Sequence, residues 1–334
     1  MSGGVDSSVA AALLVEQGYD VTGVYMKNWS QDLPGMKCPW AEDLADAKRV
    51  AVQLGIDFKV FDFENEYREK VVQYMIDTYQ EGRTPNPDIM CNQEVKFKLF
   101  LDTALEEGAD MISTGHYART EAGKLLRAKD ENKDQTYFLY RVTSDALKKT
   151  LFPLGDYTKP EVRELAKMRN LYTASKKESM GVCFVGQVGM RDFLSQYVQT
   201  MPGNTIDTQT NKVIGQNDGA IFYTLGQRHG LNVGGGLPYY VVGKDMAKNE
   251  VYVSTKLDDD NIWRQELQVG SIHAIDGTLQ DGEYQARIRH RAPLVASTFK
   301  SDTLILSEPQ RAATAGQSVV LYRGEECLGG GIIL

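Results

Sequence analysis

Cysteine is scarce and scattered. Cys38, Cys91, Cys183 and Cys327 are the four in 334 residues, and no two stand as Cys-x-x-Cys. That spacing gives zinc or an iron–sulfur cluster little to bind, and it is not the disulfide framework of a small secreted domain. No apolar run approaches the roughly 20 residues that a membrane-crossing helix needs. No signal-peptide pattern precedes the first motif. The chain is therefore expected in the cytoplasm, with no membrane partner. Basic charge is also in deficit, 37 Lys and Arg against 45 Asp and Glu, for a net charge of −8. A phosphate-binding face must be basic, so the overall balance argues mildly against nucleic acid, although it conceals local patches. Neither an internal repeat nor a low-complexity segment is found.

What is present falls into two textures. In the first half short apolar runs alternate with helical patterns: a helix over 9–17, a strand over 21–26, a helix over 41–54 and a strand over 58–63. Helices follow over 64–80 and 95–107, then a strand over 111–114. Strands alternating with helices of this length predict a parallel sheet covered by helices on both faces. Thr158 and Glu161 have capping-box spacing for a helix ending near Arg169. After about residue 190 glycine becomes dense, and period-two runs appear at 239–242, 251–253, 284–288 and 318–322. These predict small, mainly β modules. The expected domains are 1–190, 191–256 and 257–334, the last two divided before the acidic run Asp258–Asp260.

The chain opens Ser2-Gly3-Gly4-Val5-Asp6-Ser7-Ser8 and runs straight into a helix. Glycines let the backbone approach an anion closely, and the free N–H groups of a helix start face it. Ser7 and Ser8 add hydroxyl donors, and Asp6 is a candidate ligand for Mg²⁺. The lysine of the Walker-type loop is absent. A glycine turn with a serine cap is the plainer reading. At every position, however, the string resembles the PP-loop of enzymes that split ATP into AMP and pyrophosphate. A buried strand leads into such loops, and here Met1 opens the chain without one. The expected fold is thus a Rossmann-like, PP-loop ATPase type of sheet with its first strand missing, followed by two β domains, the last a β-barrel.

Two segments carry cysteine in suggestive settings. Arg83-Thr84-Pro85-Asn86-Pro87-Asp88-Ile89-Met90-Cys91-Asn92 is stiffened by two prolines and leads into a helix, where a thiol becomes more reactive. A buried cysteine in a tight turn is the alternative. Glu178-Ser179-Met180-Gly181-Val182-Cys183-Phe184-Val185-Gly186 flanks its cysteine with glycines, which suits a loop that moves and equally a core position. Basic side chains gather at Lys159, Arg163, Lys167, Arg169, Lys176 and Lys177. Arg287, Arg289 and Arg291 alternate so that period two puts them on one strand face. Phosphate contact and a merely solvated face are both open for that row.

Together these strings resemble the tRNA-specific 2-thiouridylase (MnmA/TrmU) family. The resemblance includes Thr114-Gly115-His116-Tyr117-Ala118-Arg119, Lys133-Asp134-Gln135, Tyr223-Thr224-Leu225-Gly226-Gln227-Arg228-His229-Gly230 and Cys327-Leu328-Gly329-Gly330-Gly331, and it spans nearly the whole chain. It implies ATP-dependent 2-thiolation of a tRNA wobble uridine. Cys183 would carry sulfur as a persulfide, and Cys91 would be the nucleophile that ends in a Cys91–Cys183 disulfide. Ser2 to Ser8, Met26 and Gly115 would meet ATP. Asn86, Pro87 and Asp88 would meet the target base. His116, Lys133, Asp134, Gln135, Arg289, His290 and Gln317 would touch tRNA. Cys38 and Cys327 match no catalytic position. The implied partners are tRNAs for lysine, glutamate and glutamine, with a cysteine desulfurase or sulfur-relay protein as donor.

The chemistry explains the parts. Oxygen on C2 of uracil leaves poorly, and joining it to AMP makes it a good leaving group; a second thiol then frees the sulfur. Asp88, beside the nucleophile, is a candidate general base or a loop-capping carboxylate. The competing readings are another PP-loop thiolase, an ATP-pyrophosphatase ligase, and a non-catalytic RNA-binding protein. No resident metal site is expected.

Overall fold

The structure is a computed structural model that describes residues 1–32, 38–177, 190–231, 233–234, 238–256 and 262–334. Helix α1 (Val5–Glu16) is followed by strand β1 (Thr22–Lys27), helix α2 (Trp40–Leu54) and strand β2 (Asp57–Asp62). Helix α3 runs through Glu64–Tyr67, Arg68–Val72 and Gln73–Gln80 without a break, and its middle segment is π-helical. Helix α4 likewise joins Pro87–Met90, the π-helical Cys91–Leu99 and Phe100–Glu106. It starts eight residues before the expected position. Pro87 occupies the first helical turn, where its missing N–H costs nothing. Cys91 therefore lies inside the helix, at the start of a π segment of the kind often found at functional sites.

Strands β1 and β2 pair in parallel, with Met26 opposite Phe61. Strand β3 (Ile112–Ser113) precedes a hairpin of β4 (Arg119–Glu121) and β5 (Lys124–Leu126), and β3 pairs in parallel with β6 (Thr150–Leu151). Helix α5 (Lys159–Met168) opens on the expected capping box of Thr158 and Glu161. Helices cover both faces. Val9 and Leu13 of α1 share an apolar cluster with Val162 and Ala166 of α5. Residues of α3 and α4 share another with Phe61 and Ile112.

Strands β7 (Gly203–Asp207), β8 (Lys212–Asn217), β9 (Tyr240–Asp245) and β10 (Glu250–Ser254) form a sheet in the order β8-β7-β10-β9. The last unit comprises β11 (Trp263–Ala274), β12 (Gly282–Arg287), β13 (Val295–Lys300), β14 (Thr303–Arg311), β15 (Ser318–Arg323) and β16 (Glu326–Ile333). Among the described residues their order is β11-β14-β13-β12-β15-β16, and β16 returns to β11, closing a six-stranded barrel. The barrel also recruits the α/β domain. Strand β5 pairs with β16 at Glu326 and Cys327, just before β11 takes over from Gly329.

The barrel has its own interior, around Leu267, Ala286, Leu304 and Leu321. One face belongs instead to the large cluster of the α/β domain, which counts Val320, Tyr322 and Cys327 beside Leu125, Tyr137 and Tyr140. In this joint Asp134, 1% exposed, accepts hydrogen bonds from Arg287 at 2.8 Å and from the Thr136 hydroxyl at 2.9 and 3.0 Å. Tyr137 donates to the Ser318 carbonyl at 2.8 Å. Removing one partner of a buried pair strands the other charge. Asp134→Ala should therefore destabilise the protein by about 3–5 kcal/mol in urea denaturation. Replacing Asp134 and Arg287 together with apolar residues should cost less.

Candidate active site

The loop ahead of α1 is built as an anion cradle. Gly4 caps the helix without any side-chain cap bond, so the first N–H groups of α1 are not covered by a capping side chain. The Ser7 and Ser8 hydroxyls donate to the Gly4 carbonyl at 3.1 and 2.8 Å. The loop is flanked by both parallel strand pairs. The Met1 ammonium donates to the Val24 carbonyl of β1. On the other side a Cβ on Gly115, just past β3, would lie 2.8 Å from the Ser7 nitrogen. Only glycine permits that approach, so Gly115 stands against the loop it was expected to serve. Met26, at the end of β1, is half-buried against the core.

Asp6 is held by residues that sequence reading did not assign to it. Lys159 Nζ lies 2.7 and 2.8 Å from its two oxygens, and the Tyr117 hydroxyl donates to it at 2.9 Å. Lys159 belongs to the basic stretch that ends at Lys177, but it is 8% exposed. Most of that stretch is engaged elsewhere. Arg163 donates to the carbonyls of Ala174 and Lys176, Arg169 pairs with Glu16, and Lys176 pairs with Asp43 and Asp46. Lys167 and Lys177 are exposed. Charge counting found the cations and missed the carboxylates that fold brings to them.

Cys91 is 3% exposed on α4. Burial raises the Asp88 carboxyl above the usual carboxylate range, and Lys96 partly opposes this. His116 is packed beside Phe97 and Phe152, with ring centroids 5.7 and 6.2 Å away. Burial, reinforced by Lys96, holds its pKa well below the ordinary value, so the ring is neutral. Thr114 Oγ1 lies 2.8 Å from its Nδ1. Cys183, and with it the expected Cys91–Cys183 pairing, lies outside the described residues. Cys38 and Cys327 are buried, Cys327 in the joint between the barrel and the α/β domain.

The expected RNA contacts separate. Asp134 is interior, and its carboxylate is taken by Arg287 and Thr136. Gln135 accepts from the Tyr117 backbone N–H at 2.8 Å, and Lys133 is half-buried beside them. The three arginines do not form one solvent face. Strand β12 ends at Arg287, which is buried. Arg289 is exposed and donates to the Arg311 carbonyl at 2.7 Å; Arg291 is exposed and donates to the Asn132 carbonyl at 3.2 Å. Period two predicts which side chains share a face, not what packs against it. Gln317 reaches the segment ahead of Asn86, and its amide donates to the carbonyls of Thr84 and Pro85.

His290 lies 4.5 Å from the Phe138 ring centroid. Burial pushes its pKa down to about 4, helped by Arg291, Arg287 and Lys133 and opposed by Asp134. A histidine kept neutral when folded binds fewer protons than the unfolded chain between about pH 6.5 and 4. Stability is thus full above that window and is lost as pH falls through it. His290→Phe should flatten the acid limb of unfolding midpoint against pH between 6.5 and 4.

Comparison with known proteins follows the same three-part division. Residues 1–187 match the tRNA methyl transferase HUP domain, 191–255 the tRNA methyl transferase PRC-barrel domain, and 264–333 the aminomethyltransferase beta-barrel domain. The chain is 47% identical over 347 residues to the tRNA-specific 2-thiouridylase MnmA of Bacillus licheniformis, covering 100% of this chain and 93% of that protein. The protein of the same name from Limosilactobacillus reuteri is 46% identical over 353 residues, with the same coverage. Among solved structures, an NMN synthetase from Francisella tularensis is 17% identical and covers 56% of this chain and 66% of that one. Its TM-score of 0.35 is too low to argue from.

Proposed function

The chain belongs to the tRNA-specific 2-thiouridylase family, and from that premise we propose that it is an ATP-dependent tRNA sulfurtransferase acting on the wobble uridine. The observation that carries this reading is one domain holding two different devices, the anion cradle at α1 and the buried Asp88–Cys91 segment of α4. Catalytic work falls to residues 1–190, with 191–256 and 257–334 as the two β domains. Its place of work is the cytoplasm. Among the described residues no helix is long and apolar enough to cross a membrane.

In the proposed reaction ATP lies against Ser2 to Ser8, Met26 and Gly115. The uridine O2 attacks the α-phosphorus, and pyrophosphate leaves. A Cys183 persulfide then attacks C2 with its terminal sulfur, and AMP departs with the old oxygen. Cys91 attacks the Cys183 sulfur, freeing the thiocarbonyl and leaving a Cys91–Cys183 disulfide for an external thiol to reduce. Asp88, with its raised pKa, is suited to take and return a proton there. Asn86 and Pro87 border the base, and His116, Lys133, Arg289 and His290 lie on the RNA side. The sulfur comes from a cysteine desulfurase or a relay protein, and the tRNAs are those for lysine, glutamate and glutamine. Mg²⁺ does not fit as a resident ion. Asp6 is the one carboxylate in the loop, and it already holds Lys159. Among the described residues no group of three or more candidate ligands gathers. The ion would enter with the nucleotide, whose phosphates supply most of its ligands.

Lys159 supplies to the phosphates the cation that the loop itself lacks. Lys159→Met should lower kcat/KM for ATP about 10–100-fold, the worth of one charge-assisted hydrogen bond, with tRNA affinity unchanged. An equal loss of tRNA affinity would assign Lys159 to the RNA face instead.

Incubation with tRNA, labelled ATP and a persulfide donor should yield 2-thiouridine, AMP and pyrophosphate; ADP as sole product would refute the cradle's role. Cys183→Ser should lose persulfide on peptide mapping. Cys91→Ser should load Cys183 but fail to complete turnover. Label on Cys91 would reverse these roles.

A further inference from the structure

Thr84 and Pro85, seven and six residues before Cys91, carry three backbone hydrogen-bonding groups, since proline has no N–H. All three are satisfied by one turn of the barrel. Thr84 N–H donates to the Ala315 carbonyl at 2.9 Å. The Gln317 amide donates to the Thr84 carbonyl at 2.9 Å and to the Pro85 carbonyl at 3.2 Å. Two carbonyl partners require the nitrogen end of that amide, so its orientation is determined.

Contact between the two backbones is close. Gly316, at φ +89°, would put a Cβ 2.8 Å from both the nitrogen and the oxygen of Thr84. Gln317 is itself anchored, donating to the Thr314 carbonyl at 3.0 Å and accepting from Ile333 N–H at 2.8 Å, at the end of β16. Thr84 is 8% exposed, and its hydroxyl lies 3.2 Å from that of Thr224 in the central domain. From this clasp to Cys91 the chain passes through Pro85 and Pro87, whose fixed φ transmits position with little slack.

We infer that Gln317 is a positioning residue for the Asp88–Cys91 segment, through which the barrel sets the place of the catalytic thiol. The inference rests on the proposed role of Cys91, and it departs from a role of Gln317 as an RNA contact alone. Because Cys91 is 3% exposed and Cys327, in the barrel joint, is 1% exposed, alkylation of each reports how often its surroundings open. A loosened clasp exposes Cys91 without exposing Cys327.

The test uses the full-length protein with Gln317→Met, close in shape and without donors, and Gln317→Lys, which restores a donor to the two carbonyls. Iodoacetamide labelling, resolved by peptide mapping without tRNA, should show Cys91 reacting at least about fivefold faster in the Met variant, with Cys327 unchanged; the Lys variant should lie between. Single-turnover thiolation at saturating tRNA and ATP should fall in the same order, while the Kd for tRNA stays within about twofold. An unchanged Cys91-to-Cys327 labelling ratio would overturn the inference, whether both sites stay slow or both accelerate. Weakened tRNA binding with unaltered labelling would return Gln317 to RNA contact. If the wild-type protein formed no 2-thiouridine, the proposed function would fail, and the labelling ratio would still decide whether the clasp exists.

Discussion

The carboxylate of Asp134 is the point on which the arrangement of domains depends. It is buried where the barrel meets the α/β domain, and it accepts from Arg287 of β12 while taking the Thr136 hydroxyl from its own side. Such a pair adds little net stability over an apolar substitute, but it tolerates only one relative placement of its partners. Around it the contacts that do stabilise are apolar, with Val320, Tyr322 and Cys327 packed among Leu125, Tyr137 and Tyr140. The addition of β5 to β16 then follows, because the joint already aligns the hairpin with the part of β16 that β11 leaves unpaired.

From Asp134 a line of polar contacts runs to the loop ahead of α1. Gln135, its neighbour in sequence, exchanges hydrogen bonds with the Tyr117 backbone in both directions. The Tyr117 hydroxyl donates to Asp6, and Asp6 holds Lys159. The string Lys133-Asp134-Gln135 thus joins the barrel to the anion cradle, with Asp134 buried and Lys133 and Gln135 half-buried. A second connection, through Thr84 and Pro85, joins the barrel to Cys91. The two reactive regions are fastened to the same barrel by different residues, which lets one body locate both.

Elements with strong periodicity were legible in the sequence. The capping box at Thr158 predicted α5, the alternating runs at 284–288 and 318–322 predicted β12 and β15, and the glycine-serine opening predicted a loop running straight into a helix. What failed was everything decided by a partner distant in sequence. Arg287 and Lys159 read as surface cations because their carboxylates, Asp134 and Asp6, lie 153 residues away. The start of α4 was misplaced for a local reason. Two prolines read as loop, although the second suits the first turn of a helix. Tyr117 and Thr224 sat within strings that matched the family, yet nothing in their own type or spacing announced the contacts they make.

The surroundings of Cys91 bear on the order of events in the proposed reaction. An adenylated uridine is open to water, so the site benefits from being dry when sulfur arrives. Cys91 is buried, and His116 is neutral between Phe97 and Phe152. Ionised groups draw water, and this wall presents none at His116. A neutral imidazole also cannot act as a strong acid, and in the proposed reaction proton handling falls to Asp88, whose carboxyl is raised by burial. The desolvation that would protect the proposed intermediate also raises the Asp88 carboxyl, the direction that a proton-transfer role needs. Any change that wets the Asp88–Cys91 segment would weaken both effects together, and this is why its hold by the barrel matters to the chemistry.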